Sequence, residues 1–163
     1  MRVTVNQKSD YKQLCLQIVN QWKQENIKLS PGATEQELGA FEAIYGIKLP
    51  EDFRYLYSLV NGTIDWDTDK YLFCLWPLSR ILEDSSAVVI NPFEISPAIE
   101  ITFGDYMIDA RRYYLAANSQ SAYFVKIQEM EKINGEKINV SLNNFTDFLI
   151  CYLTDPAEIY LWE

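Results

Sequence analysis

The chain has 163 residues, of which 48% are hydrophobic and 14% aromatic, and its formal net charge is −9. This length predicts a single domain over residues 1–163, and this composition excludes a disordered chain. The excess of carboxylates disfavours nucleic acid as a partner, because binding to phosphates requires clustered lysine and arginine.

The first predicted helix runs from Asp10, which can act as its N-cap, to about Glu25. Its apolar face repeats at helical spacing and consists of Tyr11, Leu14, Cys15, Ile18 and Trp22. The tripeptide Ser30-Pro31-Gly32 predicts a turn, because the residue before a proline is disfavoured in the helical region. We therefore expect the next helix to be a separate element.

A second helix is predicted to begin after Thr34. Glu37 follows three residues later, which is the pattern of a capping box, where each side chain accepts a hydrogen bond from the other residue's backbone N–H. Leu38, Phe41 and Tyr45 form its apolar stripe. Gly46 is suited to end the helix, since glycine adopts the left-handed conformation at little cost.

A third helix is predicted to begin at Pro50, followed by two acidic residues that favour the positive end of the helix dipole. Its apolar face is made of Phe53, Leu56, Tyr57 and Val60. The dipeptide Asn61-Gly62 is predicted to stop this helix.

The central part of the chain predicts strands. Residues 63–70 read as a loop, residues 71–76 as a buried strand and residues 77–82 as one helical turn, while residues 88–90 fit either a short strand or a packed loop. Three sequential antiparallel strands are then expected around residues 101–103, 112–115 and 122–127. Asn134-Gly135 is typical of a further hairpin turn.

A last helix is predicted from Asn144, the N-cap, to Asp155-Pro156, with Asp147 in its first turn. Its apolar face is Phe145, Phe148, Leu149, Tyr152 and Leu153. The apolar tail at residues 159–162 is expected to pack back on the domain. The whole order predicts an α+β fold, with N-terminal helices and a C-terminal helix packed around a mainly antiparallel β-sheet.

Three landmarks occur in this order. The first, in the helix pair, consists of Glu37, Leu38, Phe41, Gly46, Leu49, Pro50, Phe53, Tyr57, Asn61 and Gly62. The second landmark is Leu75-Trp76-Pro77-Leu78, and the third is Phe145-Thr146-Asp147-Phe148-Leu149. Together they resemble the SUKH superfamily, which covers relatives of fungal cell-wall synthesis regulators, the translocon-associated protein Syd and many bacterial immunity proteins. One common version of the family has a glycine-rich hairpin where residues 103–110 have a single glycine, so the subgroup stays open.

The sequence carries no recognisable catalytic or cofactor motif. The absence of histidine removes Ser-His-Asp and Cys-His catalysis and histidine-ligated zinc, and neither phosphate-binding glycine loop occurs. Carboxylates alternate at residues 65–69, but a calcium loop of the EF-hand type would continue with glycine and glutamate where Lys70 and Trp76 stand. The carboxylate pairs Glu83-Asp84 and Asp105/Asp109 are not placed in a cleft by any pattern. We therefore predict no enzyme activity, no metal and no cofactor.

The sequence also predicts a cellular location. Residues 1–10 lack the apolar run of a signal peptide, and the apolar window at residues 71–78 is too short to span a membrane. Cys15, Cys74 and Cys151 are odd in number and lie in apolar stretches, which is typical of buried, reduced thiols. We therefore expect a cytoplasmic protein without a membrane partner.

The resemblance implies a binding protein. Bacterial SUKH proteins are mostly immunity proteins that bind a cognate polymorphic toxin, often a nuclease, and block it by occlusion. The net charge favours a basic toxin as partner, although acidity also serves solubility alone. The alternative, which the other branches imply, is a housekeeping regulator or scaffold of the cell-wall synthesis regulator type. A neighbouring gene for a secreted toxin would distinguish the two.

The predicted partner surface is the acidic loop after the helix pair, where an aromatic residue lies among charges. Its residues are Asp65, Trp66, Asp67 and Asp69, extended by Glu83 and Asp84. The competing interpretation places Trp66 in the core, in which case the surface is expected around Phe93 and Ile95 instead.

Overall fold

The structure, a computed structural model, describes residues 10–91, 98–118, 122–130, 139–156 and 159. In chain order the elements are α1 (Asp10–Gln24), β1 (Leu29–Pro31), α2 (Glu35–Tyr45), α3 (Glu51–Leu59), β2 (Val60–Thr63), β3 (Phe73–Leu75), α4 (Leu78–Glu83), β4 (Val88–Ile90), β5 (Ile99–Tyr106), β6 (Arg111–Ala117), β7 (Tyr123–Glu129), β8 (Asn139–Leu142) and α5 (Phe145–Thr154).

The main sheet is antiparallel, in the order β3-β5-β6-β7-β8. β4 also pairs with β5, at Ile99–Ile101, whereas β3 pairs with its other end at Gly104–Tyr106. Because β6 occupies one edge of β5, β3 and β4 follow each other along the opposite edge. The predicted α+β fold is confirmed, and residues 88–90 form a strand.

The core lies between this sheet and the helices α1, α3 and α5 and is rich in aromatic rings. Phe53 of α3 has its ring centroid 5.1 Å from that of Phe145 in α5 and 5.9 Å from that of Phe103 in β5. Phe103 in turn lies 5.2 Å from Phe148. These edge-to-face contacts join the helix pair, the sheet and the last helix. The apolar faces predicted for α3 and α5 are buried, except that Leu153 is half-buried.

The caps predicted at Thr34, Gly46 and Asn144 are confirmed. The Thr34 hydroxyl accepts from the Glu37 N–H at 3.1 Å, and the Glu37 carboxylate accepts from the Thr34 N–H at 3.4 Å. Gly46 has a φ of 62° and ends α2 in the left-handed region. The Asn144 side chain accepts from the Asp147 N–H at 2.8 Å and starts α5.

Two predictions, a helix stop and a turn, were wrong. Asn61-Gly62 does not stop α3, which ends at Leu59 and continues into β2, and Ser30-Pro31 belongs to β1 rather than to a turn. β1 and β2 pair as a small separate sheet, where the proline is tolerated because the ladder is short and at an edge. The Asn61 side chain instead accepts from the Leu78 N–H at 2.9 Å and caps α4.

Some predictions concern residues that the structure does not describe. Asn134-Gly135, Phe93, Ile95 and residues 160–162 lie outside the described ranges. Ile159 is buried, and its carbonyl accepts from the Tyr113 hydroxyl at 2.8 Å. The three cysteines are free thiols, of which Cys15 and Cys74 are buried and Cys151 is half-buried.

Candidate protein-binding surface

The loop between β2 and β3, residues 64–72, is here called the tryptophan loop. The Asp67 carboxylate accepts from the backbone N–H of Lys28 at 2.8 Å, which ties the loop to the start of β1. Glu25, at the end of α1, accepts from the Lys70 N–H at 2.9 Å. Both contacts span about forty residues of sequence, so the loop is held by distant parts of the chain.

Asp69 is the deepest anchor of the tryptophan loop. Its side chain accepts from the N–H groups of Tyr71 and Phe73, at 2.8 and 2.9 Å, and from the Tyr152 hydroxyl. The same hydroxyl accepts from the Trp22 indole at 2.7 Å. Burial raises the pKa of Asp69, against the opposing effect of these hydrogen bonds. Asp69 therefore connects the loop to α1 and α5 in the core.

Trp66 lies at the tip of this loop and is 64% exposed, with a φ of 62°. The guanidinium carbon of Arg80 lies 3.4 Å from the Trp66 ring centroid and 3.5 Å from that of Trp76. Arg80 is thus sandwiched between an exposed and a buried indole, a favourable arrangement for a cation. The position of the exposed ring is fixed by packing on Arg80.

Asp105 on β5 binds both Arg80 and the buried indole of Trp76. Its carboxylate accepts from the Trp76 indole at 2.6 Å and from Arg80 at 3.3 Å. Asp105 is buried and Trp76 is fully buried. The negative charge of Asp105 therefore compensates the partly buried charge of Arg80.

The turn between β5 and β6, residues 107–110, is here called the strained turn. Met107, Ile108 and Asp109 have φ values of 51°, 52° and 68°, a conformation that costs about 1–2 kcal/mol per non-glycine residue. Arg112 donates to both Asp109 oxygens, at 2.6 and 3.0 Å, and Asp105 accepts from the Asp109 N–H at 3.2 Å. These bonds maintain a turn in which Ile108 is 87% exposed.

The tryptophan loop and the strained turn meet. The Met107 N–H donates to the Leu72 carbonyl at 3.1 Å. Between them lies a pocket of about 380 Å³, here called the apolar pocket; it is lined by Trp66, Thr68, Leu72, Cys74, Asp105, Met107 and Ile108. A smaller pocket of about 170 Å³, here called the acidic pocket, is lined by Thr63, Asp65, Trp66, Cys74, Pro77, Ser79, Arg80 and Glu83. Trp66 lines both.

The structure brings together three of the six residues predicted for the partner surface. Asp65, Trp66 and Glu83 are exposed and line the acidic pocket. Asp65 also lies 3.9 Å from Lys28, in a contact between two exposed side chains that contributes little. The interpretation that Trp66 belongs to the core is wrong, because most of its surface faces solvent.

The other three predicted residues are engaged in internal hydrogen bonds. Asp69 is only 4% exposed, and Asp67 is half-buried against the Lys28 backbone. Asp84 is half-buried and accepts from the Ser86 N–H and hydroxyl, bonds that lower its pKa. These three carboxylates stabilise the tryptophan loop and the end of α4 through hydrogen bonds. They do not add to the exposed surface around Trp66.

The sequence profile of the SMI1/KNR4 family (SUKH-1) matches residues 32–151. The chain belongs to this SUKH-1 family. The match begins just before α2 and ends within α5, so it includes the tryptophan loop and the strained turn. A comparison with curated proteins gives no match.

Sequence reasoning missed part of the surface of this SUKH-1 protein. Leu72, Met107 and Ile108 are exposed around the apolar pocket, and Arg80 supports Trp66. A signal was present, since Met107-Ile108 places two apolar residues in a connection between strands, where polar turn residues are usual. Contact between this turn and the tryptophan loop has no local signal, because it depends on the pairing of β3 with β5.

Two further properties of this SUKH-1 chain concern metals and membranes. Among the described residues, no group of three or more cysteine, aspartate or glutamate side chains is arranged to hold a metal ion. Within the same residues, no helix has both the length and the apolar character needed to cross a membrane.

Proposed function

We propose that this SUKH-1 protein is an immunity protein, which binds a cognate toxin and blocks it by occlusion. Its contact surface is centred on Trp66 and includes the exposed side chains of Asp65, Leu72, Ile108 and Glu83. Membership of the SUKH-1 family supports a binding role, since its members are generally binding proteins without enzymatic activity.

The observation that carries this proposal is the support beneath Trp66. A large exposed aromatic ring normally loses conformational freedom when a partner covers it, which weakens binding. Here the ring already rests on Arg80, and Arg80 is held by Trp76 and Asp105. Pre-organised tryptophan side chains are frequent hot spots of protein interfaces. The packing of Trp66 on Arg80, and of Arg80 on Trp76, therefore supports a role for Trp66 as a contact residue.

Backbone strain near the surface supports the same proposal. Asp65, Trp66 and Leu72 in the tryptophan loop, and Met107 and Ile108 in the strained turn, all have positive φ. Such strain is maintained only when the surrounding structure compensates it, and it concentrates at functional sites. Both strained segments border the apolar pocket.

The bonding of Asp105 favours binding over acid–base catalysis. Asp105 lines the apolar pocket, where a catalytic carboxylate would be expected to face a substrate. Its two oxygens instead accept from Trp76, Arg80 and the Asp109 backbone. We infer that Asp105 has a structural role, in which it positions Arg80 and the strained turn.

The experiment that tests the proposal looks for a toxin gene beside the gene of this chain and co-expresses its toxin domain with the chain. Wild type should restore growth of cells that produce the toxin domain, and Trp66→Ala should restore it poorly. Ile44→Gln is the matched control, because Ile44 is also an exposed apolar residue but lies on α2 and lines neither pocket. Growth arrest that wild type does not relieve, or a gene neighbourhood without a toxin, would contradict immunity and favour the regulatory alternative.

A further inference from the structure

We infer that the partner of this surface inserts one large apolar side chain into the apolar pocket and places a lysine or arginine over the acidic pocket, on the other side of Trp66. This inference deepens the proposed function and rests on it for the identity of the partner. The chemistry of the contact follows from the two pockets themselves.

The size of the apolar pocket limits what can enter it. Its volume of about 380 Å³ lies at the lower end of the range of ligand pockets, roughly 300–1,000 Å³. It is open to solvent between two protruding segments, the tryptophan loop and the strained turn. A single bulky side chain with its flanking backbone fits such a site better than an extended ligand.

The lining of the apolar pocket selects an apolar side chain. Trp66, Leu72, Met107 and Ile108 form its rim. Asp105, the charged residue of the lining, already accepts hydrogen bonds from three donors. A polar side chain in this pocket would lose its bonds to water with little compensation, whereas an apolar one would gain from burial.

The charges of the acidic pocket select a cation. Asp65 and Glu83 are exposed there. The positive charge of Arg80 is compensated by Asp105 and covered by the Trp66 ring. Lys28 is 3.9 Å from Asp65, but both side chains are largely exposed, and this contact offsets little of the negative field. A lysine or arginine of the partner would complement both carboxylates.

The same charges disfavour a second copy of this chain as the occupant. A symmetric contact would place equivalent patches face to face, so Asp65 and Glu83 of each copy would approach like charges. The net charge of −9 adds to this repulsion. A basic partner with an exposed apolar residue avoids both costs.

The test selects short random peptides, displayed on phage, for binding to the intact chain. Enriched peptides should carry a large apolar residue close to a lysine or arginine. Their affinity should fall about tenfold or more with Ile108→Asn, which removes part of the pocket rim. Asparagine tolerates positive φ better than isoleucine does, so this variant should retain the fold.

Glu83→Lys tests the acidic pocket and should weaken binding about tenfold or more, most strongly at low salt. Asp155→Lys is its control, since both carboxylates are exposed at the C-terminal end of a helix, where lysine is favourable, and both changes alter the net charge equally. Asp155 lines neither pocket. Ile44→Gln serves in the same way for Ile108→Asn, and both controls should bind as wild type does.

The outcomes separate this inference from the proposed function. Recovery of no peptide, enrichment of acidic or purely polar peptides, or equal affinity of site and control variants would overturn the inference, even if the chain neutralises its toxin. Conversely, peptides of the expected kind that bind to these pockets would support the inference even if co-expression shows no neutralisation.

Discussion

The helix pair α2–α3 and the tryptophan loop are neighbours in sequence, but different interactions determine their backbone conformations. α2 is defined by its own caps, Thr34 with Glu37 at one end and Gly46 at the other. The tryptophan loop departs from local preferences, with positive φ at Asp65 and Trp66, and relies on contacts with α1, β1 and α5. Local signals specify the scaffold, whereas the candidate surface depends on long-range contacts that compensate its strain.

The helix pair should be most sensitive to loss of its core contact. Phe53 of α3 is fully buried against Tyr57, Phe103 and Phe145. Phe53→Ala should reduce the free energy of unfolding by about 3–5 kcal/mol, because it removes apolar contacts and leaves a cavity. Urea denaturation measures the loss. A change below about 1 kcal/mol would contradict this packing of α3.

Gly46 and Gly62 both have positive φ, but Gly46 is constrained locally and Gly62 by tertiary structure. A Cβ on Gly62 would lie 2.2 Å from the Pro77 nitrogen, whereas a Cβ on Gly46 would meet nothing within 4 Å. Gly62→Ala should cost about 3 kcal/mol or more, from strain and steric overlap. Gly46→Ala should cost only about 1 kcal/mol, from strain.

Denaturant midpoints of the two alanine variants check this difference. Equal losses at the two positions would mean that the close approach of Gly62 to Pro77 contributes nothing. A wild-type midpoint for Gly46→Ala would contradict the left-handed end of α2.

Asp69, which anchors the tryptophan loop, should make the free energy of unfolding depend on pH. Burial raises the pKa of Asp69 above its ordinary value of 3.8, with a smaller contribution from the charge of Glu25. The folded state then binds a proton more readily than the unfolded state. Stability relative to Asp69→Asn should therefore increase as the pH falls through the window from the raised pKa to 3.8.

Parallel unfolding curves of wild type and Asp69→Asn at several pH values measure this dependence. The asparagine variant is the control, because it cannot titrate but retains an oxygen that can accept from the Tyr71 and Phe73 N–H groups. A difference that shrinks as the pH falls would show that hydrogen bonding to the charged form outweighs burial.

Much of the fold could be predicted from sequence because its signals are local. Thr34 with Glu37 and Asn144 with Asp147 both mark helix starts, and the structure contains both caps. Asn61-Gly62 shows where this reasoning fails. Its composition is typical of a helix stop, but these residues lie in β2, whose pairing with β1 no local rule reveals.

The candidate surface could be predicted only in part, for the same reason. The acidic loop and its tryptophan were visible in sequence, but alternation of carboxylates did not show that Asp67 and Asp69 turn inward to the Lys28 backbone and Tyr152. Ile108 is distant from Trp66 in sequence. Only the pairing of β3 with β5 places the two around one pocket.

We expect Trp66 to be held in place for contact with a partner rather than for stability. Two readouts on Trp66→Ala test this directly: the dissociation rate from the proposed toxin partner, and the free energy of unfolding. We predict faster dissociation, with a loss of about 2 kcal/mol or more in binding, and a stability loss of at most about 1 kcal/mol, since the contact with Arg80 is exposed on one side. A marked loss of stability with unchanged affinity would contradict the claim.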